Sequence, residues 1–154
     1  MNTVVSQLTI EQEIAEAKEY GQPYGWQITE PLKSNQIFNV RLCSHVDAEI
    51  YQMEFTYDDY PEKPLLIEFI HPVTGARGDK TCIPKCKQDS FFHPEGLICH
   101  PCNRKAYAGY RGLHNEWQMA GWRQIANGLI NLKSILDAIY TRIADKSLYE
   151  KRMD

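Results

Sequence analysis

Four of the chain's five cysteines stand between Cys82 and Cys102, and they fall into two close pairs. Cys82-Ile83-Pro84-Lys85-Cys86 is one pair. Cys99-His100-Pro101-Cys102 is the other, and residues 87–98 join them. Zinc takes four ligands at tetrahedral positions, with sulfur about 2.3 Å from the metal. Two short chelate loops on a longer connection supply that geometry, and the prolines around them suit tight turns. The spacing predicts a zinc site on Cys82, Cys86, Cys99 and Cys102. His93, His100 and His114 are near enough in sequence for one of them to replace a thiolate. A site closed by four protein ligands has no open position for water, so it would be structural and would fold the loop around it.

Other uses of the cysteines fit less well. Lys80, Lys85, Lys87, Gln88 and Asp89 surround them, which is not core composition. A redox pair at Cys99 and Cys102 wants a βαβ context that the pattern lacks. Covalent haem needs a histidine after the second cysteine, and position 103 is asparagine. Cys43 lies in a strand-like segment and is expected in the core.

The cysteine count is odd, and Met1–Ser6 has neither a basic n-region nor a long apolar run. A reducing, cytoplasmic setting without a signal peptide is therefore expected. The 17 basic and 20 acidic residues leave a net charge of -3, which does not indicate nucleic-acid binding. No apolar stretch approaches the ~20 residues needed to cross a bilayer.

The chain reads as one α+β domain over 1–154. Thr9-Ile10-Glu11-Gln12 fits a capping box, predicting a helix from about Ile10 to Tyr20. Strands are expected at 26–30, 36–44, 49–57 and 65–70, with short links that suggest an antiparallel meander. Tyr60-Pro61-Glu62-Lys63-Pro64 is a rigid connector before the fourth strand. Periodicity disappears from His71 to Gly96, so 71–102 reads as a metal-ordered insertion. Ile125, Leu129, Leu132, Leu136, Ile139 and Ile143 mark one face of a long helix, widened by Ile130 and Ile135. Asn127-Gly128 is its weak point, Trp117–Ala126 is a separate helical candidate, and 146–154 reads as a frayed tail. Trp26, Trp117 and Trp122 read as packing anchors. Arg104, Lys105 and Arg111 read as a solvated positive face beside a flexible 107–112 loop.

Several motifs, in order, resemble those of ubiquitin-conjugating (UBC-like) enzymes, in a divergent, bacterial-type branch. Tyr60–Leu65 is similar to the family's YPxxPP connector, and Phe69 to its strand-four phenylalanine. His93-Pro94-Glu95 resembles HPN. Gly96-Leu97-Ile98-Cys99 resembles the GxIC segment that ends in the catalytic cysteine. Trp117, with the Ile125–Ile143 face behind it, is similar to the tryptophan and helix on the C-terminal side of that cysteine. Glu95 stands where the family has asparagine, the His93–Cys99 spacing is short, and an insertion carries Cys82 and Cys86. The resemblance implies a UBC-like fold in a protein-modifier system, with a ubiquitin-like modifier or an activating enzyme as partner. It leaves two roles for Cys99. As a zinc ligand, it makes the chain a non-catalytic or atypical component. As a nucleophile, it carries the modifier as a thioester. An intermediate arrangement keeps Cys99 catalytic and puts zinc on Cys82, Cys86, Cys102 and a histidine.

Overall fold

The computed structural model describes residues 3–154 and has the expected α+β class. Met1 and Asn2, part of the segment read for a leader, lie outside the described residues. Helix α1 spans Thr3–Gly21 and buries Ile10, Ile14 and Ala17. It begins a turn and more before the capping box, because no glycine or proline in residues 3–8 stops the helix from extending backward.

Four strands follow: β1 Gln27–Ile28, β2 Ile37–Cys43, β3 Ile50–Thr56 and β4 Leu66–Ile70. They pair antiparallel in sequence order, as the short links suggest. Phe38 sits opposite Phe55, Val40 opposite Met53, and Met53 opposite Phe69. The Phe38 and Phe55 rings stack at 5.0 Å. Phe38, Val40 and Leu42 fill one face of β2, so Cys43 falls on the other with its neighbours of the alternate set. It is half-buried, not the core residue expected.

The proline connector crosses from β3 to β4 with a cis Tyr60–Pro61 bond. Tyr60 is fully buried, and its hydroxyl donates to Glu13 Oε1 of α1 at 2.6 Å. The Trp122 indole donates to Pro61 O at 2.9 Å, so Trp122 is an anchor as expected.

The 71–102 stretch holds short regular pieces: β5 at Pro84–Cys86, β6 at Phe92–His93 and β7 at Leu97–Ile98. β5 pairs with β8, Tyr149–Arg152, at the end of the chain. The tail expected to fray is thus a strand, which gives the insertion a partner from within the chain. Tyr149 decides this: it is buried, and its hydroxyl reaches the buried Tyr51 hydroxyl at 2.6 Å and donates to Asp47 Oδ2 at 2.7 Å. Arg152 covers the Tyr51 ring at 4.4 Å.

The long helical face is divided. Only Trp122–Ile125 forms α2, and α3 runs from Leu132 to Ala144. Asn127 and Gly128 take φ values of +50° and +87°, which end a right-handed helix. Ile125 is consequently 46% exposed, off the face assigned to it. Asn131 and Ser134 form the capping box that restarts the chain as α3. Leu132, Ile135, Leu136, Ile139 and Ile143 then pack with α1 against the inner face of the sheet. Among the described residues no helix is long and apolar enough to cross a membrane.

Candidate functional site

The two cysteine pairs sit on different supports. β6 and β7 form a hairpin, with Phe92 opposite Ile98 and His93 opposite Leu97. Cys99 continues it, its N–H donating to Phe91 O at 2.8 Å. The hairpin turn is tight against the insertion. Gly96 has φ +95°, and a Cβ there would stand 2.4 Å from the Asp79 carbonyl carbon. His93 Nδ1 accepts from Glu95 N at 3.1 Å, which fixes the turn that carries Glu95.

Asn103 fastens this hairpin to the main sheet. It is fully buried. Its Oδ1 accepts from Ile67 N of β4 at 3.0 Å and from Lys105 N at 3.1 Å, and its Nδ2 donates to Ile98 O at 3.0 Å. The sequence offered asparagine only as an argument against haem, and its structural role was missed. An isolated asparagine one residue past a cysteine pair carries no signal of such a role.

Arg104, expected on a solvated face, is buried. Its side chain is 4% exposed, pairs with Asp58 Oδ1 at 2.7 Å and donates to Pro64 O at 2.9 Å. Arg111 donates to Gly78 O at 2.8 Å. The 107–112 loop is closed by bonds from Arg111 N to Lys105 O and from Gly112 N to Tyr107 O. The Tyr107 hydroxyl donates to Pro101 O at 2.6 Å, tying that loop to the second cysteine pair.

The four sulfurs have distinct surroundings. Cys82 is buried, with its thiol directed to Ala76 O at 3.2 Å. Cys86 is half-buried on β5, where burial pushes its pKa up to about 11 and Asp89 adds to the rise. Cys102 is fully buried, and burial raises its pKa to about 12. Cys99 is half-buried at the end of the hairpin, its pKa raised first by burial and then by the Glu116 carboxylate.

The histidines named as alternative ligands are engaged within the fold. His100 packs on Phe91 at 5.6 Å, and its Nδ1 accepts from Cys102 N at 3.1 Å. Burial lowers its pKa to about 4, so the ring is neutral. His114 stacks on Trp117 at 3.8 Å and its Nδ1 meets Glu116 Oε1 at 2.8 Å. Among the described residues no three His, Cys, Asp or Glu side chains form a group that could hold a metal ion. The tetrahedral set expected of Cys82, Cys86, Cys99 and Cys102 is not assembled in this arrangement.

Chemically, Cys99 is a partly accessible thiol on a fixed hairpin. The Glu116 carboxylate, whose own pKa is lowered first by its hydrogen bond with His114, adds to the rise in the Cys99 pKa. No family model, no curated protein and no solved structure matches this chain.

Proposed function

We propose that this chain is a UBC-like carrier, taking the C-terminal carbonyl of a ubiquitin-like modifier onto Cys99 as a thioester. The observation that carries the reading is the setting of Cys99. It is the half-buried thiol at the end of the hairpin, and no group of three metal ligands among the described residues claims it. The order of elements supports it too: α1, a four-stranded meander, the proline connector, the His93–Cys99 hairpin and a packed C-terminal helix.

The chemistry runs in two steps. In charging, Cys99 loses its proton and its sulfur attacks a modifier carbonyl already activated by an activating enzyme, whose leaving group departs. In transfer, a neutral amine attacks the thioester carbonyl. The C–S bond breaks, Cys99 leaves as thiolate, and the amine surrenders a proton. That proton passes to solvent; the Glu116 carboxylate, whose charge adds to the rise in the Cys99 pKa, favours the protonated thiol. The raised thiol pKa means that Cys99 is protonated at rest, so charging needs a base. The rival assignment, a non-catalytic domain with zinc on Cys82, Cys86, Cys99 and Cys102, commits the same sulfur to a metal.

The test is made in cells that produce the protein. Tagged protein is recovered under acid and run without reductant. A slower band that dithiothreitol collapses is expected. Cys99→Ala abolishes it, and Cys99→Ser converts it to a dithiothreitol-resistant, alkali-sensitive ester. No adduct on any of the three, with one zinc per chain in the native protein, contradicts the carrier reading.

A further inference from the structure

A second site stands where the end of α1 meets the last turns of α3. Tyr20, Tyr24 and Tyr140 converge there around an open cavity of about 360 Å³, lined also by Asp137, Thr141 and Asp145. That volume lies at the lower end of the range for small-ligand sites. The Tyr24 and Tyr140 rings are 5.0 Å apart, and those of Tyr20 and Tyr24 are 5.9 Å apart. Trp26 backs them, 5.4 Å from Tyr20 and 5.9 Å from Tyr140. Its indole nitrogen is buried without a hydrogen-bond partner among the described residues.

Four aromatic rings packed together are ordinary core. These differ in two respects. Tyr20 and Tyr24 are exposed rather than covered. The charged groups lining the cavity are carboxylates, and neither Asp137 nor Asp145 forms an ion pair among the described residues. Asp137 instead accepts from the Tyr20 hydroxyl at 2.8 Å, and Asp145 from Ser147 N at 2.9 Å. A hydroxyl donating to a carboxylate leaves its ring richer in electron density. The negative faces of tyrosines and two carboxylates outside any ion pair among the described residues select for a cation that also has apolar surface. An anion is repelled by the carboxylates, and an uncharged aliphatic group would cover them without pairing them. At this cluster the chain already uses this preference: Lys133 Nζ lies 5.4 Å over the Tyr20 ring. Tyr24 and Tyr140 have no such partner among the described residues.

We infer that this aromatic and acidic cavity binds an organic ammonium ion, its charge against the exposed Tyr24 ring and balanced by Asp137 and Asp145. The site is independent of Cys99 and stands or falls without it.

The probes are choline, Nα-acetyl-lysine amide and the uncharged choline isostere 3,3-dimethylbutan-1-ol. The readout is the Trp26 indole resonance in ¹H–¹⁵N spectra of the whole chain. At least one ammonium probe is expected to shift that resonance saturably, while the alcohol leaves it in place. The tighter of the two identifies a free quaternary amine or a lysine side chain as the source. Tyr24→Leu is expected to weaken binding roughly fivefold or more. Asp145→Asn, a change at an exposed position, supplies the same test should Tyr24→Leu fail to fold. Absence of a saturable shift with both ammonium probes overturns the inference. So does equal binding of the alcohol, or unchanged affinity in both variants.

Discussion

Ile67 N donates to Asn103 Oδ1 at 3.0 Å, joining the start of β4 to the segment just beyond the second cysteine pair. Through that bond, and the one from Asn103 Nδ2 to Ile98 O, the hairpin leading to Cys99 has a fixed position on the sheet. Asn103→Ala orphans the buried N–H of Ile67 and the carbonyl of Ile98. It is expected to cost about 3 kcal/mol in urea unfolding. Asn103→Asp keeps the acceptor but loses the donor and buries a charge, so it is expected to be no better tolerated.

Gly96 tests the contact between hairpin and insertion. Its φ of +95° excludes most side chains, and an added Cβ meets the Asp79 backbone at 2.4 Å. Gly96→Ala is expected to destabilise by at least about 2 kcal/mol, from strain and from displacement of the turn. Cys99 alkylation should accelerate in the same variant, because the turn before it is displaced.

The C-terminal strand is expected to act as a clasp on the insertion. A chain ending at Leu148 loses the Tyr149 hydroxyl that joins Tyr51 to Asp47. It also loses the Arg152 contacts to the carbonyls of Thr81 and Cys82. The loss is on the order of 3 kcal/mol. Cys86, no longer paired through β8, should become the cysteine whose labelling rate rises most.

Glu13 gives a pH dependence with a definite sign. It is 9% exposed and accepts from the Tyr60 hydroxyl at 2.6 Å and from Leu132 N at 2.9 Å. Burial raises its pKa, against the lowering by those two hydrogen bonds and by Arg123. The native state therefore keeps this proton to a higher pH than the unfolded chain does. Between the ordinary glutamate value and the raised one, the native state binds more protons, so this group's contribution to stability falls as pH rises. Glu13→Gln keeps an acceptor oxygen for the site and removes the titration. The variant's stability curve should be flatter than the parent's above pH 4.5.

What could be read from the sequence was the part set by short-range pattern. Alternation at Val40 and Leu42, and at Met53 and Phe55, marks the buried strand faces, whereas Ile37 and Ile50, read with them, fall on the opposite faces, which Phe38 and Tyr51 complete instead. Asn127-Gly128 was recognised as a weak point, and the helix does divide there. What escaped depends on partners distant in sequence. Tyr149 and Arg152 look like a charged tail until β5, Tyr51 and Asp47 are brought beside them. Arg104 looks solvent-bound until Asp58 and Pro64 O surround it. The cysteine spacing is local, but whether four sulfurs meet is decided by where the hairpin and β5 pack.

The central claim is that the Cys99 sulfur is a free acceptor thiol. The most direct measurement is on the native protein, purified without chelator. It is treated with N-ethylmaleimide, its labelled sites are mapped by mass spectrometry, and zinc is determined on the same sample. The account predicts labelling of Cys99 with Cys82 and Cys102 protected, no stoichiometric zinc, and the same pattern after chelation. One zinc per chain, with Cys99 unlabelled until a chelator is added, would contradict it.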